Sequence, residues 1–494
     1  MPKMDYVLRN ATIVDGTGAL PFQGDVGITG GRIEQLGQVT GQPITEMDLK
    51  GLALSPGFID VHTHDDFAAI LYPDMAFKLL GGVTTCVVGN CGMGAAPFPQ
   101  AATLARAFHP NQTLPGWEGY KGYLAYLDAH PTSLNIAALV GHGTVRMAVM
   151  GRKDRAPSPE ELATMKALVQ EGLDAGAVGF SSGLVYEPGC YAQTEELISL
   201  AALMKNGGGL YTTHMRNEGN QLLEAVDEAI EIGEKAGVPV QISHHKASGQ
   251  KNWGKVVASI RRIELAQARG LNIHADQYPY TAGSTILSAV LHQGAFEDAN
   301  ENREAIAPEN VVIASTQSTP EWEGKSIREM MQILDLPPRE AVIKILEKES
   351  GATVVMHTIS EEDVRLVMKH DSTMIGSDGI PTLDGKPHPR LYNTFARVLG
   401  HYSRELRLLP IEEAVYKMTG FSARKFDLVD RGEIRVGAYA DLVVFDADTI
   451  IDKGTFMAPN QYPAGIHHVF VNGVLAVKEG NSLNTRSGRT LRRQ

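Results

Sequence analysis

The sequence predicts an α/β fold: a (β/α)8 TIM-like barrel that carries a small β-sandwich domain built from both ends of the chain. Three observations predict it. Through the middle of the chain, short β-rich segments alternate with helical ones about every thirty residues, the signature of a parallel sheet. Strand-like alternation returns at the two ends, and one long interval before the last barrel strand has strand-like pieces of its own.

At the N-terminal end, residues 5–14 and 25–36, the latter around Gly30-Gly31, read as a hairpin or meander. Barrel strands are expected at 57–64, 84–92, 134–142, 177–184, 210–216, 240–246, 272–279 and 373–379. Between the third and fourth, Ser158-Pro159-Glu160-Glu161 is a capping box with proline at the first helical position, and Leu162, Met165, Leu168, Val169 and Leu173 follow at helical spacing. Thr194 is the expected cap of a helix running to Met204, which Gly207-Gly208-Gly209 ends, and helices over 221–236 and 256–269 lead into the next two strands. The interval 281–372 exceeds one crossover, so its first part, about 290–350, is read as a lid inserted beside the barrel mouth between strands 7 and 8. Residues 441–446 and 468–477 are strand-like, with Asn472-Gly473 as a tight turn. The expected domains are therefore 1–55 with 425–480 as the β-sandwich and 56–424 as the barrel, while 484–494, with four arginines and no apolar pattern, reads as a disordered tail.

Of the 494 residues, 43% are hydrophobic and 21% charged, as in ordinary soluble proteins. No apolar run approaches the roughly 18–20 residues of a membrane helix. The net charge of −12 argues against a nucleic-acid binder. Met1-Pro2-Lys3-Met4-Asp5 lacks the profile of a secretory signal, so the cytoplasm is the expected compartment. Three cysteines in a chain this long do not make a disulfide framework.

The chemistry lies at strand ends, where a barrel builds its active site. Alternation puts His62 and His64 on one face, the barrel interior. Alone, a His-x-His pair is more often structural, but Cys91 ends the second strand, His214 the fifth, His244 the sixth and Asp378 the eighth. Thiolate, imidazole and carboxylate are donors that suit zinc, and a catalytic zinc keeps three protein ligands and one open position. Cys91, His214 and His244 supply such a trio. Cys86 and Cys190 read as packing. His245 should face away from His244, His142 is a candidate partner behind the ligands, and His274, His357, His370 and His401 read as ordinary histidines.

Gly57-Phe-Ile-Asp-Val-His-Thr-His-Asp-Asp66, Gly89-Asn-Cys-Gly92, Thr213-His-Met-Arg-Asn-Glu218, Ile242-Ser-His-His-Lys246, Asp276-Gln-Tyr-Pro-Tyr280 and Gly376-Ser-Asp-Gly379 resemble the D-aminoacylases (N-acyl-D-amino-acid deacylases) of the amidohydrolase superfamily. The resemblance runs from Asp5 to about Gly480, and Gly-Asn-Cys-Gly is its most specific element. The bridging lysine that many superfamily members carry on the fourth strand is missing from Gly179-Phe-Ser-Ser-Gly183. The resemblance implies a tight zinc site on Cys91, His214 and His244, a second, weaker site on His62, His64 and Asp378, and Asp378 as general acid and base. It implies Lys246, Tyr278 and Arg390 as partners of a substrate carboxylate, with Tyr191 as a further donor to the oxyanion. The partner is then a small molecule, an N-acyl-D-amino acid. Residues 281–296, from which Ser284 is expected to contact substrate, contain no Lys or Arg, so apolar side chains such as Met, Leu and Phe are expected over D-aspartate and D-glutamate.

Other readings compete. A cyclic-amide hydrolase generally wants the missing lysine, and a deaminase does not need Cys91. A non-catalytic barrel would show eroded ligands. Gly89 to Gly94 lacks the spacing of a dinucleotide fingerprint. The oligomeric state stays open.

Overall fold

The structure, a computed structural model, describes residues 3–109, 112–297 and 305–493. Eight parallel strands form the barrel: β1 (Phe58–Asp60), β2 (Val83–Val88), β3 (Asn135–Gly141), β4 (Gly179–Gly183), β5 (Leu210–His214), β6 (Val240–Ile242), β7 (Ile273–Gln277) and β8 (Thr373–Ile375), each paired with its neighbour in that order. Every residue of β2, β3 and β4 is buried, as expected of strands covered on both faces. The ring closes just beyond β1 and β8. Asp378 N donates to His62 O (2.7 Å), His64 N donates to Gly379 O (3.1 Å), and Thr63 bridges Gly379. Closure itself thus sets Asp378 beside the two histidines.

Helix Pro159–Asp174 begins with the full Ser158–Glu161 capping box and buries Met165, Val169 and Leu173. Thr194 is not a cap: Gln193 holds that position, and the Thr194 hydroxyl donates to Glu228 (2.9 Å) from inside helix Thr194–Ala201. A carboxylate on the next helix competed successfully for the hydroxyl.

The chain ends form one nine-stranded sheet. Strand Lys3–Ile13 pairs along one edge with Gln42–Asp48 and then, farther on, with Ala53–Leu54, so the sheet divides there and folds over a core that includes Leu8, Val26, Ile28, Leu54, Val444 and Phe470. Strand Ala53–Pro56 pairs antiparallel with Leu442–Phe445, joining the N-terminal and C-terminal contributions.

Two expectations change. The segment 484–493 is ordered: Thr490–Leu491 pairs parallel with Ile136–Ala137 of β3, Asn472 Nδ2 donates to Ser487 O (2.7 Å), and Arg493 N donates to Gly176 O (3.0 Å). Gln494 lies outside the described residues. The physical reason is an open edge. Strand β4 pairs with β3 only from Leu139 onward, and the tail takes the backbone groups left before it, which burial would otherwise leave unsatisfied.

The insertion is also wider than 290–350. It contains a three-stranded sheet in which Thr353–Met356 lies between Gly283–Ile286 and Val311–Ser315, over a core including Val311, Ile313, Ile327, Met330, Val342 and Ile345. Gly283–Ile286 is too short to announce a strand by its pattern, and its partner is far along the chain. Residues 298–304 of this insertion lie outside the described residues. Among the described residues no helix is long and apolar enough to cross a membrane.

Candidate active site

Three of the side chains at the barrel mouth sit on backbone in the left-handed region: Cys91 (φ 53°), His244 (φ 37°) and Asp378 (φ 51°). That conformation costs a non-glycine residue roughly 1–2 kcal/mol, and such strain persists only where the surroundings over-determine it. For Cys91 the surroundings are visible. Ser181 of β4 donates to Gly89 O and accepts from Gly92 N (3.0 Å), pinning the turn that carries the thiol. Gly183 lies under it, where a Cβ would stand 2.1 Å from Cys91 O.

The turn delivers Cys91 Sγ to 3.7 Å from His244 Nε2 and 3.8 Å from His214 Nδ1, with those two nitrogens 2.8 Å apart. A tetrahedral zinc with the usual bond lengths separates sulfur and nitrogen ligands by about 3.6 Å and two nitrogens by about 3.3 Å, so this trio fits the ion in donor type and sulfur–nitrogen spacing, with the two nitrogens closer together than a bound ion would hold them. A second group shares the thiol: His62, His64, Cys91 and Asp378 also converge. His62 Nε2 lies 3.3 Å from Cys91 Sγ and 3.4 Å from Asp378 Oδ1, and His64 Nε2 lies 3.2 Å from the same oxygen. All six expected ligand positions therefore meet at one place.

The electrostatics are those of opposed charges held out of water. Burial pushes the Cys91 thiol up, but His62, His214 and His244 outweigh it and hold the group well below its ordinary value. Burial likewise opposes ionisation of Asp378, and Arg390, His244 and His62 overcome it, so its carboxyl lies well below the usual range. His64, against Asp378 and Cys91, is raised to about 9 despite burial.

Of the expected substrate-binding residues, three converge. Arg390 Nη2 pairs with Asp378 Oδ2 (2.9 Å) and donates to Ser284 O (3.1 Å). Its guanidinium lies 4.3 Å from the Tyr278 ring centre, with Lys246 Nζ 5.7 Å away on the same ring. Ser284 contributes its carbonyl rather than its hydroxyl. Arg390 Nε and Nη1 and the Tyr278 hydroxyl are buried without partners among the described residues.

Tyr191 does not join them. Its hydroxyl donates to Glu187 (2.5 Å) and its ring packs on His292, because the turn through Gly189–Tyr191 carries it past the mouth. Tyr186 stands there instead: its ring meets His214 edge-on at 5.0 Å and its hydroxyl contacts Thr285 (3.0 Å). His142 opens helix His142–Met150 and bonds Glu196 (2.8 Å) instead of standing behind the ligands. His245 faces away, onto Ser259 (2.8 Å).

Sequence reasoning missed the carboxylates behind the histidines. Asp276 lies 3.1 Å from His62 Nδ1 and accepts from His244 N (2.7 Å). Glu218 bonds His244 Nδ1 (2.9 Å) and Lys246 Nζ (2.6 Å). Lys78, fully enclosed, holds Asp60 (2.6 Å) and Ser377 (2.7 Å) across the seam that carries Asp378. Asp276 and Glu218 fall inside motifs singled out in the sequence, but nothing local says which histidine each faces. A cleft of about 1280 Å³ opens from Cys91 and Tyr186, past Met93, Met147 and Val185, to Ile286 and Leu291 of the insertion.

The amidohydrolase family pattern matches residues 45–477. A D-aminoacylase of Alcaligenes xylosoxydans is 40% identical, covering 99% of this chain and 98% of that protein. An N-acyl-D-glutamate deacylase of the same organism is 39% identical, over 99% and 97%. Among solved structures, a D-aminoacylase with a binuclear metal centre superposes with TM-score 0.90 at 38% identity, covering 99% of this chain and 100% of that one. An N-acyl-D-glutamate deacylase of Bordetella bronchiseptica, solved with zinc and a phosphonate inhibitor, gives TM-score 0.90 at 36% identity, again over 99% and 100%. The chain belongs to the amidohydrolase family and, within it, groups with the D-aminoacylases; it is a hydrolase.

Proposed function

We propose that this hydrolase cleaves the amide bond of N-acyl-D-amino acids with apolar side chains, releasing a carboxylate and a free D-amino acid. The observation that carries it is the corner made by Arg390, Tyr278 and Lys246, where buried donors without partners lie beside Asp378 and the thiol–imidazole cluster. Buried polar groups without partners are costly, and a substrate carboxylate would satisfy them, with the guanidinium fork as its natural anchor.

Cys91, His214 and His244 are the residues that would hold zinc, with His62, His64 and Asp378 as a weaker second set. When bound, the ion supplies Lewis acidity toward the amide carbonyl and the attacking water. Asp378, kept ionised by Arg390 and the histidines, accepts the proton that water gives up and returns it to the leaving nitrogen as the C–N bond breaks. Arg390, held between Asp378 and Ser284 O, orients the substrate carboxylate relative to that base. Tyr186, whose ring packs on His214, is the tyrosine that would donate to the developing oxyanion.

The preference for apolar side chains rests on Met93, Met147, Val185, Ile286 and Leu291 along the cleft. Of its three arginines, Arg152 is engaged by Glu187 (3.6 Å) and Arg339 by Glu297 (3.5 Å), while Arg106 is exposed. Relatives acting on different N-acyl-D-amino acids are nearly equally similar, at 40%, 39% and 37%, so overall identity does not decide the point. Free-amine release from N-acetyl-D-methionine, N-acetyl-L-methionine and N-acetyl-D-glutamate tests the reading. The expected result is D-selective turnover with kcat/KM for D-methionine about 10-fold or more above D-glutamate, since a buried charge without a partner is disfavoured. A profile led by D-glutamate overturns the apolar preference, and no turnover of any of the three overturns the activity.

A further inference from the structure

Glu218 stands behind the metal-binding histidines in the loop that follows β5, its side chain 12% exposed. Its two oxygens are divided. Oε1 lies 2.9 Å from His244 Nδ1 and 2.6 Å from Lys246 Nζ, while Oε2 lies 3.8 Å from His214 Nε2. These are the ring nitrogens that His244 and His214 turn away from Cys91. The loop is itself tied down, since Glu218 O accepts from Ser248 N at 2.7 Å. Lys246 is held from several directions: its ammonium also donates to His244 O (2.9 Å), lies 2.9 Å from His244 Nδ1, and faces the Tyr278 ring.

We infer that Glu218 is a positioning residue that links metal affinity to occupation of the carboxylate-binding corner. The inference rests on the reading of Cys91, His214 and His244 as the zinc donors. A carboxylate on the far nitrogen of a ligating histidine fixes the ring and raises its basicity, and its loss typically costs 10–100-fold in metal affinity. Here one oxygen serves both a ligand histidine and the lysine that faces substrate, so the charge it offers His244 is shared with Lys246. A substrate carboxylate that engages Lys246 frees Glu218 for His244, and the metal is held more tightly. Linkage makes the effect reciprocal, so bound metal favours carboxylate binding.

The test uses zinc alone, titrated into metal-stripped full-length protein against a chromophoric chelator, with far-UV circular dichroism and Tm of the metal-free forms as the folding control. Glu218→Gln keeps the shape and removes the charge; its zinc affinity is expected to fall 10–100-fold. Glu218→Asp keeps the charge but retracts it and should fall between the two, and it serves in place of Glu218→Gln should the latter not fold. Lys246→Met should tighten zinc several-fold with Glu218 present and by less than twofold in the Glu218→Gln background, because there is then no shared carboxylate to release. Zinc binding within twofold of the parent in a folded Glu218 variant overturns the positioning role. A Lys246→Met effect of equal size in both backgrounds overturns the link. Neither arm involves turnover, so failure of the proposed substrate class would appear separately, as absent hydrolysis by the zinc-loaded parent.

Discussion

The two ends of the barrel treat their buried lysines differently. At the mouth, acids and bases neutralise one another in networks: Asp378 meets Arg390, His62 and His64, and Glu218 meets Lys246 and His244. At the base, two lysines are spent mainly on neutral acceptors, backbone carbonyls among them, with Glu413 at 3.8 Å from Lys417 as the one acid in ion-pair range among the described residues. Lys417 donates to His370 O (2.7 Å) and Thr373 O (3.3 Å), and Lys425 donates to Asn272 O (3.1 Å). Burial, the dominant influence at both, leaves Lys417 at about 8 and Lys425 well below the usual lysine value. Partners at the mouth hold charged forms in place for use, whereas carbonyls at the base accept a proton donor in either charge state and seal the strand ends. That division matches a barrel whose chemistry is at one face and whose stability is at the other.

The largest effect that would sharpen this contrast is at Asp378. Asp378→Asn removes the proposed proton acceptor and one member of the proposed weaker ligand set while leaving Cys91, His214 and His244 intact. We expect kcat to fall about 10²–10⁴-fold with one zinc still bound, as read by turnover and metal content on the same sample; near-parental kcat would break the assignment. Next is Arg390→Lys, which keeps the charge and loses the fork. Loss of charge-assisted hydrogen bonds worth about 1.5–3 kcal/mol should lower kcat/KM by roughly 10–100-fold, chiefly through KM. A change confined to kcat would mean that Arg390 serves only Asp378.

The smallest effect is at the base and is read by pH. Lys417 in the folded chain titrates at about 8, against about 10.4 when unfolded. Between those values the unfolded chain binds the extra proton, so stability rises with pH across that window; below it, both states are protonated and the full cost of burying the charge is felt. The contribution is at most roughly 3 kcal/mol. Lys417→Met should flatten the rise in Tm between pH 8 and 10 without changing kcat. A variant whose Tm still climbs as steeply as the parent's would remove Lys417 as the source.

How much of this was legible in the sequence follows from what sequence can encode locally. His62, His64, Cys91, His214, His244 and Asp378 stand at the ends of strands whose β-rich patterns recur regularly, so topology alone brings them to one rim. Their supports are different. Asp276 reaches His62 across 214 positions and Glu218 reaches Lys246 across 28, and a pattern in one segment says nothing about which carboxylate faces which ring. Tyr191 and Tyr186 differ only by a turn whose course depends on Gly183 and the residues packed beneath it. His142 sits where a strand becomes a helix, so the alternation that assigns its direction no longer applies. The tail had no periodicity to read, because a two-residue pairing such as Thr490–Leu491 needs none.

That short pairing also bears on how the protein is made. Asn135 of β3 holds Arg489, 354 residues later in the chain, and the neighbouring edge of β3 at Ile136 and Ala137 waits for Thr490 and Leu491. At translation rates of about 5–20 residues per second, roughly 20–70 s pass between the emergence of the two partners. Throughout that time Ile136 and Ala137, paired with β2 on one side, lack a partner on the other, the kind of edge that recruits wrong partners. The tail is the piece that ends this exposure, and its absence from a prematurely terminated chain leaves that edge of β3 uncovered at the base of the barrel for chaperones and proteases to find.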